Sequence, residues 1–147
     1  QRGKYFSRLA VLLREDKETY ARMITGEMGK IIVESRAEVE KCAWLCDYYA
    51  ENAASMLQPE YYETDAGKSY VRFDPVGIIY GIMPWNFPFW QAFRAAVPTM
   101  MAGNTFILKH APNVLQTAKA IEKLFLESGF PENAFSNVIV SLELSEN

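Results

Sequence analysis

Apolar residues recur every three or four positions at the start of this chain: Phe6, Leu9, Ala10 and Leu13, then Tyr20, Met23, Ile24 and Met28. That spacing predicts two amphipathic helices, with Asp16 as the N-cap between them and Gly29 as the stop of the second. A third, longer helix is expected over about residues 31–57, with Val39, Cys42, Ala43, Cys46, Ala50 and Ala53 on one face and Pro59 after its end. The period then shortens. Residues 61–64 and 69–73 flank Asp65-Ala66-Gly67-Lys68 and read as a hairpin.

From Val76 onward, strand and helix alternate. Strands are expected over about 77–83, 104–109 and 135–140, and helices over about 88–101 and 113–128, the second closed by Gly129. Gly77 to Met83 is apolar enough to be a strand buried on both faces. A βαβαβ run predicts a parallel sheet with right-handed crossovers and amounts to one mononucleotide-binding half of a doubly wound fold. The expected class is thus α/β: N-terminal helices and a β-hairpin leading into a truncated doubly wound parallel sheet. Three segments follow: helical residues 1–59, the hairpin 60–75, and an incomplete dinucleotide-binding α/β domain over 76–147. Residues 141–147 read as a weak start to a further helix or a frayed tail.

Composition narrows the function classes. Of 147 residues, half are hydrophobic and 14% aromatic, which supports a packed core. A net charge of −3 argues against a nucleic-acid binder. No apolar run is long enough for a transmembrane helix. The start lacks both a signal-peptide core and a methionine, so a trimmed N-terminus is expected. Two cysteines without a framework suit a reducing cytoplasm. Cys42 and Cys46 share the apolar face of a helix and read as core residues; with no histidine or second cysteine pair nearby, a metal site is not expected.

The chemistry concentrates after the strand at 77–83. Pro84-Trp85-Asn86-Phe87-Pro88 is a turn stiffened by two prolines, and Pro88 suits the first turn of the helix that follows. Taken alone it reads first as a packing turn. The alternative is that Asn86 sits at the mouth of a helix, where oriented amides stabilise an oxyanion. Lys109-His110 ends the next strand, and sequential parallel strands are usually neighbours, so the two ends should face one crevice. Lys109 is either a solvated strand-end lysine or a point charge for a ribose or phosphate. His110 reads as a supporting polar group or as simply exposed. No G-x-G-x-x-G fingerprint is present. Asn86, Trp90 and Arg94, four apart, are expected along one flank of the helix, a rise of about 12 Å. An arginine leaning back roughly 6 Å toward the N-terminus leaves a gap near the length of a four-carbon dicarbonyl chain. Arg94 is then either solvated or a bidentate partner for a carboxylate.

Pro75-Val76-Gly77-Ile78-Ile79, Pro84 to Pro88, Pro98, Ala102-Gly103-Asn104-Thr105, Leu108-Lys109 and Glu27-Met28-Gly29-Lys30 together resemble the aldehyde dehydrogenase superfamily, from Phe6 to about Val140. The resemblance implies an oxidoreductase using NADP or NAD, with Ile82, Met83, Pro84, Trp85 and Lys109 binding the cofactor and Asn86 holding the oxyanion. Leu108 to Asn113, and an arginine at this offset from the turn, look most like the succinate-semialdehyde branch. That implies Arg94, with Phe87 and Trp90 beside it, as the substrate-binding set. Where NAD-selective members often place a glutamate, Pro112 brings no charge, which implies that NADP is accepted. The family's nucleophilic cysteine, general-base glutamate and glycine-rich loop have no counterpart in these residues, so this chain alone is expected to be inactive. Family members assemble through a hairpin at the position of residues 61–73, which implies a homo-oligomer with an aldehyde substrate and neither nucleic-acid nor membrane partners. The second reading is a non-catalytic fragment that binds a nucleotide or a partner through an open sheet.

Overall fold

The computed structural model describes residues 1–140. Three helices come first: α1 (Arg2–Glu15), α2 (Lys17–Met28) and α3 (Ile32–Met56). Phe6, Leu9, Ala10 and Leu13 of α1 are buried, as are Val39, Cys42, Ala43, Cys46 and Ala53 of α3. Gly29 ends α2 in the left-handed region at φ 78°, where its N–H donates to the Thr25 carbonyl; glycine has no Cβ penalty there. Asp16 is the N-cap of α2 by position only. Its φ of −105° and ψ of 21° are not the extended geometry of a capping side chain, and its carboxylate makes no cap bond.

The hairpin pairs β1 (Glu60–Tyr62) with β2 (Ser69–Val71), and Tyr61 lies opposite Tyr70. Both strands are shorter than expected and largely exposed. The parallel sheet then forms in the order β3 (Ile78–Met83), β4 (Thr105–His110), β5 (Phe135–Asn137), joined by α4 (Pro88–Met101) and α5 (Leu115–Glu127). The strand β5 stops short of residue 140, though the Val138 N–H still donates to the Leu108 carbonyl. Residues 141–147, expected to begin a helix or fray, lie outside the described residues.

One core joins the N-terminal helices to the sheet. Phe6 packs its ring against Phe125 and Phe130, and Phe125 stacks on Phe135 with centroids 4.2 Å apart. Gly81 sits in β3 where the Phe106 ring crosses it: an added Cβ would lie 2.3 Å from that ring. At the other end of the β3–α4–β4 unit, the Asn104 side-chain Oδ1 accepts the N–H groups of Val76 and Gly77. Its amide nitrogen donates to the Thr99 carbonyl. The family-like Gly103-Asn104 pair thus ties the start of β3 to the end of α4.

Within the described residues β3 is covered on one face only, not on both as expected. Ile78 is 70% exposed and Ile82 57%. The strand lies at the sheet edge, and the helices cover only the face bearing Ile79, Gly81, Met83, Phe106, Leu108 and Phe135. Ile78, Tyr80 and Ile82 point to the other face, because side chains alternate along a strand.

Candidate functional site

The parallel register brings the carboxyl ends of β3 and β4 together, with Ile82 opposite Lys109 and Met83 opposite His110. Ile82 and Lys109 therefore lie on the same face of the sheet, exposed at Ile82 and buried at Lys109, while Met83 turns toward the core. Lys109 is 5% exposed, which excludes the solvated reading. Trp85, half exposed, follows Ile82 and Met83 across Pro84.

At the end of β4, His110 is buried. Its Nε2 lies 2.8 Å from the Pro88 carbonyl and its Nδ1 2.9 Å from the Ala111 N–H. A carbonyl only accepts and an amide N–H only donates, so the ring is the neutral Nε2–H tautomer. Burial lowers its pKa below the ordinary histidine value, against the opposing effect of the bond to Pro88. His110 is thus a buried support that holds the first turn of α4 to the sheet.

Helix α4 begins with Pro88 at N1 and has Phe87 as its N-cap residue. Its first N–H groups are not free for a ligand. The Glu38 carboxylate, reaching from α3, accepts from the Phe89 N–H at 2.9 Å and the Trp90 N–H at 3.0 Å through one oxygen. Its other oxygen pairs with the Lys30 ammonium, and both side chains are almost fully buried. Lys30 also lies over the Phe87 ring, 3.6 Å from its centroid. A carboxylate at a helix N-terminus is favourable, and the lysine compensates a charge that would be costly to bury alone. Of the two expected oxyanion donors at this turn, the helix terminus is occupied by Glu38, while the Asn86 amide has no partner among the described residues.

Asn86 precedes the N-cap, so its offset from Arg94 is not a helical rise; the 12 Å figure fails because Pro88 starts the helix two residues later. Trp90 and Arg94 do share a flank of α4, one helical turn apart. Trp90 is half-buried and Arg94 exposed, while Phe89, Ala92, Phe93, Ala96 and Met100 form the inner face. Lys41, from α3, places its ammonium 3.9 Å from the centroid of Trp90. Asn86 and Phe87 are exposed at the same end of the helix. Cys42 and Cys46 are fully buried, and burial foremost raises both thiols above their ordinary range. Neither is a nucleophile.

Sequence reasoning missed Glu38, Lys30 and Lys41. One signal was present: Glu38 falls beside Val39 and four residues before Cys42, a carboxylate on an apolar stripe. It also left the Glu27-Met28-Gly29-Lys30 stretch without roles. Glu27 reaches α5, its two oxygens accepting from Gln116 N–H at 2.7 Å and Thr117 N–H at 2.9 Å.

The chain belongs to the aldehyde dehydrogenase family, whose model matches residues 1–145. A probable NADP-dependent succinate-semialdehyde dehydrogenase of Synechocystis is 46% identical over 140 residues, covering 95% of this chain and 31% of the relative. An NAD(P)-dependent succinate-semialdehyde dehydrogenase of Escherichia coli is 47% identical over 123 residues, covering 84% of this chain and 27% of the relative. The crystal structure of succinic semialdehyde dehydrogenase from Streptococcus pyogenes, in complex with NADP, superposes with a TM-score of 0.95. It is 35% identical, and the match covers 98% of this chain and 32% of that one. The chain spans about a third of the length of the curated relatives it matches.

Proposed function

We infer that this chain supplies the N-terminal part of an aldehyde dehydrogenase that oxidises an aldehyde bearing a carboxylate, succinate semialdehyde, with NADP or NAD. The observation that carries this reading is the arrangement around α4. Asn86 is exposed at the turn leading into the helix, and Trp90 and Arg94 follow on one flank with Arg94 open to solvent. Among the described residues no carboxylate is paired with Arg94. In this reading the Asn86 amide donates to the aldehyde oxygen as negative charge develops there. The Arg94 guanidinium binds the distant carboxylate, and Phe87 and Trp90 exclude water beside the carbon chain.

The open strand ends fit a dinucleotide. Ile82 offers an exposed apolar side chain, Met83 and Pro84 offer backbone, Trp85 a half-exposed ring, and Lys109 a cation on the same sheet face as Ile82. The bound cofactor supplies the hydride acceptor. An uncharged Pro112 near Lys109 favours acceptance of a 2′-phosphate, since a carboxylate there would repel it. Residues 1–147 alone have no nucleophile, because both thiols are buried, and are inactive in this reading. The exposed hairpin, with its Tyr61–Tyr70 pair, serves subunit assembly. The thiols suit the cytoplasm. Among the described residues no helix is long and apolar enough to cross a membrane.

Arg94→Ala in the complete enzyme tests the reading. It should raise KM for the carboxylate-bearing aldehyde about tenfold to a hundredfold, as expected for a lost charged hydrogen bond, and leave a neutral aldehyde of similar length nearly unaffected. Equal loss for both substrates overturns the assignment of Arg94. Steady-state kinetics with both cofactors tests NADP acceptance, and a strongly NAD-specific enzyme overturns it.

A further inference from the structure

We propose that Glu38 and Lys30 are positioning residues that set where the Asn86 amide points. The proposal rests on the reading of Asn86 as an oxyanion donor. Pro84 and Pro88 stiffen the turn internally, and on its helix side the attachment is made by residues outside it. Glu38 supplies that attachment by accepting the N–H groups of Phe89 and Trp90, the residues immediately after Pro88. Lys30 supplies a second point, over the ring of Phe87, next in sequence to Asn86. His110 supplies a third at the Pro88 carbonyl. The three anchors bracket Asn86 on its C-terminal side, and β3 holds it on the other.

Charge shapes the arrangement further. An oxyanion forming beside Asn86 would be repelled by a lone carboxylate at the head of α4. Lys30 cancels that carboxylate at contact distance inside the core, where screening is weak. The pair therefore presents a fixed and nearly neutral base to the reacting end of the turn. The Asn86 amide can act there without a competing charge. The site gains orientation from the pair without taking its charge.

The test is a double-mutant cycle in the complete enzyme. Glu38→Asp keeps both charges but shortens the reach by about 1.5 Å, one carbon–carbon bond. It should lower kcat about tenfold, since displacements near 1 Å at a reacting group cost up to about a hundredfold. KM for aldehyde and for NADP should change much less than kcat, because Arg94 and Lys109, the charged contacts read for the carboxylate and the cofactor, are left in place. In an Asn86→Ala background, itself slower by about 10²–10³ and still measurable, Glu38→Asp should change kcat by less than about twofold. The same fold-loss in both backgrounds, or no loss in either, overturns the positioning role. An Asn86→Ala enzyme with unimpaired kcat overturns the oxyanion reading instead and the proposal with it. Should Glu38→Asp not fold, Lys30→Met with Glu38→Gln removes both charges together, leaving no unpaired ion, and the same cycle applies. Equal losses there also overturn the proposal.

Discussion

The two crossover helices begin at the same end of the sheet, and each is capped by a glutamate from the N-terminal helices rather than by its own sequence. At α5, Glu27 spends both oxygens on Gln116 and Thr117 from a half-buried position. At α4, Glu38 is buried, spends one oxygen on two N–H groups, and holds a buried lysine with the other. The helix with the heavier fixation follows the turn that carries Asn86. The difference teaches that a helix terminus can be satisfied cheaply when only stability is at stake. A more expensive arrangement, a desolvated ion pair with an aromatic ring against it, stands at the terminus that we propose must be held in position.

Breaking each cap separately should expose that difference. The largest effect is expected from Lys30→Met, which leaves the Glu38 carboxylate buried without its counter-ion. Loss of one partner from a buried pair costs about 3–5 kcal/mol, measured by urea or thermal denaturation of the complete protein. A change under about 1 kcal/mol would show that water compensates Glu38. Glu27→Ala removes a cap of ordinary kind and should cost about 0.5–2 kcal/mol without a selective effect on kcat. If the two variants destabilise equally, the contrast between the termini fails.

The smallest effect concerns pH and sharpens the picture of the α4 end. His110 is held neutral, with its pKa lowered mainly by burial. The unfolded chain then binds a proton more readily than the folded one. Stability from this group is complete above the ordinary histidine pKa of about 6.5 and is lost as pH falls through that value toward the lower folded one. His110→Asn should flatten the stability profile below about pH 6.5, by less than about 1.4 kcal/mol per pH unit for one proton. An unchanged slope would mean that His110 titrates normally.

Much of this architecture was legible in the order of the letters. The Phe6–Leu13 and Val39–Ala53 periodicities gave the helices nearly to their ends, and the rule that sequential parallel strands are neighbours placed the ends of β3 and β4 at one crevice, where the structure sets Ile82 opposite Lys109. The open face of β3 was not legible, because a continuous apolar run records what a strand can bury and says nothing of which face is covered. The flank geometry went wrong at Asn86 because Pro88 starts the helix after it. Glu38 escaped notice for a different reason. Its acceptor role depends on N–H groups 51 and 52 residues further along, and no local pattern announces a partner at that distance.

The meeting of Phe6 with Phe130, ring centroids 4.9 Å apart, joins opposite ends of the described chain. Such a contact is unfavourable to make early, since the loop it closes is long and its entropy must be overcome first. During synthesis the apolar side of α1 therefore waits without its aromatic partners until α5 and the residues after it have left the ribosome. The short-range packing of α1 on α3 is available much sooner. Folding of this region should accordingly proceed in two stages, a helical assembly first and the aromatic seal last. The turn bearing Asn86, whose anchors Glu38 and Lys30 are made early and whose anchor His110 comes after it, is completed between them.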